Sequence, residues 1–135
     1  MKLIYPNIDD LIKYNYLVLE VIKVKKADKS QILSYSKIFE IIKECEETNR
    51  DIYDKSVILL KGIIQKHPFA SGNRRTAFLS TRNFIKFNNH TFNINDSHDN
   101  TIIMLGIREN YYTNEEIKEW IKNGKIRTFK RNEKI

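Results

Sequence analysis

Apolar residues recur at helical spacing along most of the chain. Between Asn7 and about Lys25, the residues Leu11, Ile12, Tyr14, Leu17, Val18, Val21 and Ile22 share one broad face, and Asn7 or Asp9 is placed to cap its start. A second helix is expected from about Ser30 to Glu46, with Ile32, Leu33, Ile38, Phe39, Ile41, Ile42 and Cys45 on its apolar side and "EETNRD" after it as a loop. From about Tyr53 to Lys66, the residues Tyr53, Val57, Leu60, Ile63 and Ile64 make a stripe that Leu59 widens, the pattern of a central buried element. That helix is expected to stop at His67, because Pro68 disfavours helical conformation in the residue before it. Helical spacing resumes from Thr76 to Lys86 with Ala77, Phe78, Thr81, Phe84 and Ile85, and "FNNH" breaks it.

Further on, "TFNI" reads as a short extended piece, and Asp96 to Ser97 as the cap of a helix through Ile102, Ile103, Leu105 and Ile107. Thr113 with Glu116 forms a capping box for a last helix carrying Ile117, Trp120 and Ile121. Five or six helices with little sheet predict an all-α, compact single-domain helical bundle. The length of 135 residues suits one domain over 1–135 rather than two.

Composition adds exclusions. The chain holds no run of 18 apolar residues and no signal-peptide pattern, so a cytoplasmic protein is expected. The single cysteine, Cys45, falls at an apolar position of a helical pattern and is expected as a buried thiol rather than a nucleophile or half of a disulfide. The formal net charge of +7 invites a nucleic-acid reading. Basic residues gather loosely at Lys23, Lys25, Lys26 and Lys29, and at Lys122, Lys125, Arg127, Lys130, Arg131 and Lys134, while the rest interleave with acids. That distribution favours a solvated charged surface. Neither nucleic acid nor membrane is expected as a partner.

The chemistry concentrates in "KHPFASGNRRTA", Lys66 to Ala77, between two core helices. Gly72 and Asn73 are residue types that readily take left-handed backbone angles and can turn the chain into the N-terminus of the next helix. The first amides of a helix lack partners and sit at the positive end of its dipole, and Arg74 and Arg75 add two guanidinium groups suited to phosphate oxygens. His67 lies across the turn and can accept a proton at neutral pH. A base beside a phosphate cradle points to phosphoryl or nucleotidyl transfer. Phe69 is expected to plug into the core and fix the loop. Taken singly, a histidine before a proline is commonly bonded to backbone and paired arginines commonly face water; their joint occurrence with Gly72 and Asn73 favours the site. His90, Asp96, His98 and Asp99 lie within ten residues but match no strict metal-ligand spacing, and the metal ligands stay unknown.

"HPFASGNRRTA" resembles the signature of the Fic/Doc family, His-x-Phe-x-Asp/Glu-Gly-Asn-Gly/Lys-Arg, and looks most like its death-on-curing (Doc-type) form. The similarity extends to "DIYDKSVILLKGIIQK" before the motif and "FLSTRNFIKFNNHTF" after it. The resemblance implies the small all-α Fic fold and transfer of a phosphate-containing group, phosphoryl or AMP, from ATP or another nucleotide to a hydroxyl of a target protein. It implies His67 as catalytic base, Gly72 and Asn73 as anion-hole residues and Arg75 as a contact to nucleotide phosphates, with Ser71 and Arg74 completing the nucleotide- and phosphate-binding turn. It also implies Mg²⁺, yet Ser71 stands where the family usually has Asp or Glu, and a serine hydroxyl is a far poorer ligand for a hard cation. Arg74 occupies the position that is Gly in AMP-transferring members and Lys in Doc-type members, which tilts the reading toward phosphoryl transfer.

No inhibitory pattern of the Ser/Thr-x-x-x-Glu-Gly/Asn kind is complete: Ser36 with Glu40 is followed by Ile41, and Glu109 with Asn110 has Leu105 four residues earlier. Any inhibitor is therefore expected to be a separate antitoxin protein, as in a toxin–antitoxin pair. Two rival readings stay open. One is a degenerate Fic-fold module that binds a nucleotide or partner without chemistry; the other is a basic nucleic-acid-binding domain in which the motif is incidental.

Overall fold

The computed structural model describes residues 2–21 and 30–131. They form six helices: α1 (Ile8–Val21), α2 (Tyr35–Glu47), α3 (Ile52–Lys66), α4 (Asn73–Phe87), α5 (Asp99–Arg108) and α6 (Asn114–Asn123). Among the described residues there is no strand, only an isolated antiparallel bridge between Ile32 and Phe69, so the fold is all-α as the apolar pattern predicts.

α3 is apolar around most of its circumference, with Ile52, Val57, Leu59, Leu60, Ile63 and Ile64 all buried. Such a helix must be surrounded, and α2, α4, α5 and α6 all pack on it, while α1 lies across α4 and α2. Side chains cap the starts of α1, α2, α3 and α6. Asp51 accepts from the Asp54 N–H, and Thr113 and Glu116 complete the capping box of α6. Asn7 and Asp10 trade backbone-to-side-chain bonds of 2.9 and 2.8 Å at the start of α1.

Two long-range devices tie the bundle together. Lys55 of α3 is 5% exposed and donates to the carbonyls of Cys45, Glu46 and Thr48, closing the C-terminal end of α2 with a cation. Its ammonium lies 5.2 Å from the Tyr5 ring centroid, and Tyr5 stacks on Phe84. Asn88, just past α4, accepts from the Ile4 N–H at 2.7 Å and donates to the Ile4 and Phe84 carbonyls, strapping the segment before α1 onto α4.

Several boundaries differ from the periodicity. α2 begins at Tyr35 rather than Ser30, because the backbone of 31–34 is bonded elsewhere: the Leu33 and Ser34 N–H groups donate to the Pro68 carbonyl, and the Ala70 N–H donates to Gln31. Ser34 then caps α2 by accepting from Lys37 N–H. Leu33 and Phe39 are correspondingly exposed, leaving Ile38, Ile41, Ile42 and Cys45 as the buried face. In α1, Leu17 and Val21 are exposed and the buried stripe is Leu11, Asn15 and Leu19. α5 starts at Asp99, whose N–H is bonded by Ser97 Oγ. Residues 91–94 form no strand; Asn93 is instead bonded to Ile121 and Lys122 at the end of α6. The expected helix end near Lys25 and the cations Lys23, Lys25, Lys26, Lys29 and Lys134 lie outside the described residues.

Cys45 is buried and unpaired with any other cysteine; burial pushes its thiol up to about 12, so it is inert as a nucleophile at neutral pH. Among the described residues no helix is long and apolar enough to cross a membrane.

Candidate active site

α3 ends where Pro68 forces it to, and His67 closes it in the left-handed region, φ 53° and ψ 57°, with its N–H still donating to Ile63. Left-handed angles in a non-glycine residue cost about 1–2 kcal/mol and persist only where the surroundings over-determine them. Here they do. Pro68 is buried and its carbonyl accepts from two N–H groups of the 31–34 segment; Phe69 is wholly buried; and Ala70 bonds back to Gln31.

Asn73 closes the turn. Its amide oxygen accepts from Phe69 N–H at 3.0 Å and its amide nitrogen donates to the Phe69 carbonyl at 2.7 Å. Only Gly72 of the expected left-handed pair turns the chain, at φ 75° and ψ 18°; Asn73 is the first residue of α4, which therefore starts three residues before the expected Thr76. The asparagine fixes the loop through its side chain, and not by taking left-handed backbone angles of its own.

Gly72 caps α4 without any side-chain bond, and the first backbone bond is from Thr76 N–H to the Gly72 carbonyl. The amides of Asn73, Arg74 and Arg75 ahead of it are the orphan donors of a helix start, at the positive end of a 15-residue helix. Arg74 and Arg75 are both exposed beside them, and His67 is exposed across the turn.

His67 is held below the ordinary histidine range, first by partial desolvation and then by the cations Arg108, Lys37 and Arg74. It is neutral at pH 7 and carries a free lone pair. Lys37 lies in the first turn of α2, directly after the segment bonded to Pro68. Arg108 ends α5, where Gln65 donates to the Ile107 carbonyl at 2.8 Å.

A support that the apolar pattern does not single out comes from α1. Asn15 is completely buried and donates to the Ser71 carbonyl at 2.8 Å and to Thr76 Oγ1 at 3.1 Å, while accepting from Ser30 Oγ at 2.7 Å. A polar residue midway between Leu11 and Leu19 on the buried stripe is the signal that could have found it. Lys37 and Arg108 leave no such signal, being ordinary surface cations until the fold brings them together.

The residues do not fit a divalent cation. From His67 to Arg75 there is no carboxylate, and the Ser71 carbonyl is engaged by Asn15. Among the described residues no group of three or more His, Cys, Asp or Glu side chains could hold a metal, so His90, Asp96, His98 and Asp99 make no such site. His90 packs edge-on against Tyr53 instead.

The arrangement can bind an oxyanion on amides and guanidinium groups and take a proton beside it. The model of the Fic/DOC family matches residues 8–85, more than half of the chain and all of this turn. Among curated proteins, none matches the chain.

Proposed function

Because this chain belongs to the Fic/DOC family, we propose that it transfers a phosphate-containing group from a nucleotide such as ATP to a hydroxyl of a target protein. One observation carries the reading: a neutral, exposed His67 and the open N-terminus of α4 bound one turn, which Asn73 and Asn15 lock.

In this reaction the target hydroxyl oxygen bonds to phosphorus while the bond from phosphorus to the departing oxygen breaks. His67 takes the hydroxyl proton as the attack proceeds. The first amides of α4 and the guanidinium groups of Arg74 and Arg75 hold the negative charge on the phosphate oxygens throughout, and Gly72, with φ 75° and its missing side chain turned toward Leu19, Val18 and Asn15, lets the turn pack closely on α1. Arg74, a long cation where AMP-transferring relatives of the motif have glycine, favours movement of the terminal phosphoryl group with a nucleoside diphosphate departing.

The test is to incubate the protein and its His67→Ala variant with ATP labelled at the α or the γ phosphate in a cell lysate. His67-dependent label on protein from the γ position is the expected result. Label from the α position alone would mean AMP transfer. Nucleotide binding with no His67-dependent label would make the chain a binding module that has lost its chemistry.

A further inference from the structure

The phosphates of a nucleotide carry several negative charges, and something must neutralise them at the α4 N-terminus. No carboxylate of the turn is available to hold a metal there, and the Ser71 carbonyl is engaged by α1. Cations instead stand on three helices that flank the turn. Arg74 and Arg75 stand in the first turn of α4; Lys37 stands in the first turn of α2, whose preceding residues are bonded to the Pro68 carbonyl; Arg108 ends α5, beside the Ile107 carbonyl that Gln65 grips two residues before His67. All four are exposed, and none makes an ion pair among the described residues. The nearby Lys66, by contrast, is paired with Glu40.

Four unpaired cations around one turn repel one another unless an anion lies among them. We infer that Lys37 and Arg108 join Arg74 and Arg75 in neutralising the nucleotide phosphates, so that the nucleotide binds without a divalent metal. The inference rests on the nucleotide-binding reading above. The low proton affinity of His67 agrees with it: partial desolvation is its first cause, and the positive field of Arg108, Lys37 and Arg74 on the imidazole adds to it.

The closing experiment is calorimetric titration of the full chain with ATP, once in excess EDTA and once in excess Mg²⁺. Affinity in EDTA equal to or tighter than in Mg²⁺ is expected, because free ATP offers these cations more charge than the metal complex does. Lys37→Ala and Arg108→Ala should each weaken binding several-fold, more at low salt than at high, while Lys125→Ala, an exposed cation outside the turn, should not. Ser71→Asp should reverse the order and bind tighter with Mg²⁺ than without. Weaker binding of the unaltered protein in EDTA overturns the inference and leaves the transferase reading standing. No saturable binding under either condition overturns both.

Discussion

His67 shows how one residue's surroundings set its chemistry. Its proton affinity is lowered by desolvation and three cations, so the basic form that accepts a proton prevails at pH 7 and is lost only as the pH falls below the ordinary histidine value of 6.5. The acid limb of log kcat/KM for labelled-phosphate transfer should therefore have its midpoint below 6.5 and move upward in Arg108→Gln, where a proton-repelling charge is gone. Replacement of His67 by alanine should cut turnover by about 10²–10⁴-fold while leaving ATP binding in place. Asn15 acts through another residue: Asn15→Leu leaves the Ser71 carbonyl and the Thr76 hydroxyl without their buried donor, at a cost of about 1–3 kcal/mol in urea denaturation. Because the loop it steadies presents the α4 amides, that variant should lose kcat beyond the loss of folded protein, and Asn15→Gln should restore less than the wild-type value.

Among the elements, α6 carries the clearest electrostatic signature. Glu116 completes its capping box and pairs with Arg127 in the segment after the helix, and these contacts hold its carboxyl down at about 2. A carboxyl whose folded value is depressed adds stability that is fully present above its ordinary range near 4.5 and is lost as the pH falls toward 2. Glu116→Gln keeps an acceptor for the cap but removes the charge, so its stability should fall less steeply than that of the unaltered protein across this acid range, followed by circular dichroism. Lys55→Met should destabilise by about 3 kcal/mol, since three carbonyls at the end of α2 lose a cationic donor in a buried place. These elements also show what the linear chain disclosed. The capping box at Thr113, the central stripe of α3 and the motif between α3 and α4 were all legible, because each is set by residues within a turn or two of one another. The start of α2 was not, because the apolar run from Ile32 was claimed by bonds to Pro68 and Ala70, more than thirty residues away. Nor was the company of His67, since Lys37 and Arg108 reach it through the packing of α2 and α5.

For the whole molecule, the cations Lys37, Arg74, Arg75 and Arg108 at the turn lack ion pairs among the described residues, whereas elsewhere Lys118 is shared between Asp51 and Asp54 and Arg50 pairs with Asp54. A ligand that binds the folded chain alone stabilises it by mass action, about 2.7 kcal/mol at a hundred times its dissociation constant. Saturating ATP should therefore raise the melting temperature of the protein and of His67→Ala alike, with a smaller rise in Arg75→Ala. The turn between α3 and α4 is anchored from α1 by Asn15, from the segment before α2 by backbone bonds, from the core by Phe69 and from within by Asn73. Its shape is thus fixed during folding, before any nucleotide arrives. Little ordering entropy remains to be lost on encounter, and association should follow a single exponential whose rate rises linearly with ATP concentration, without the plateau that a slow rearrangement of the loop would impose.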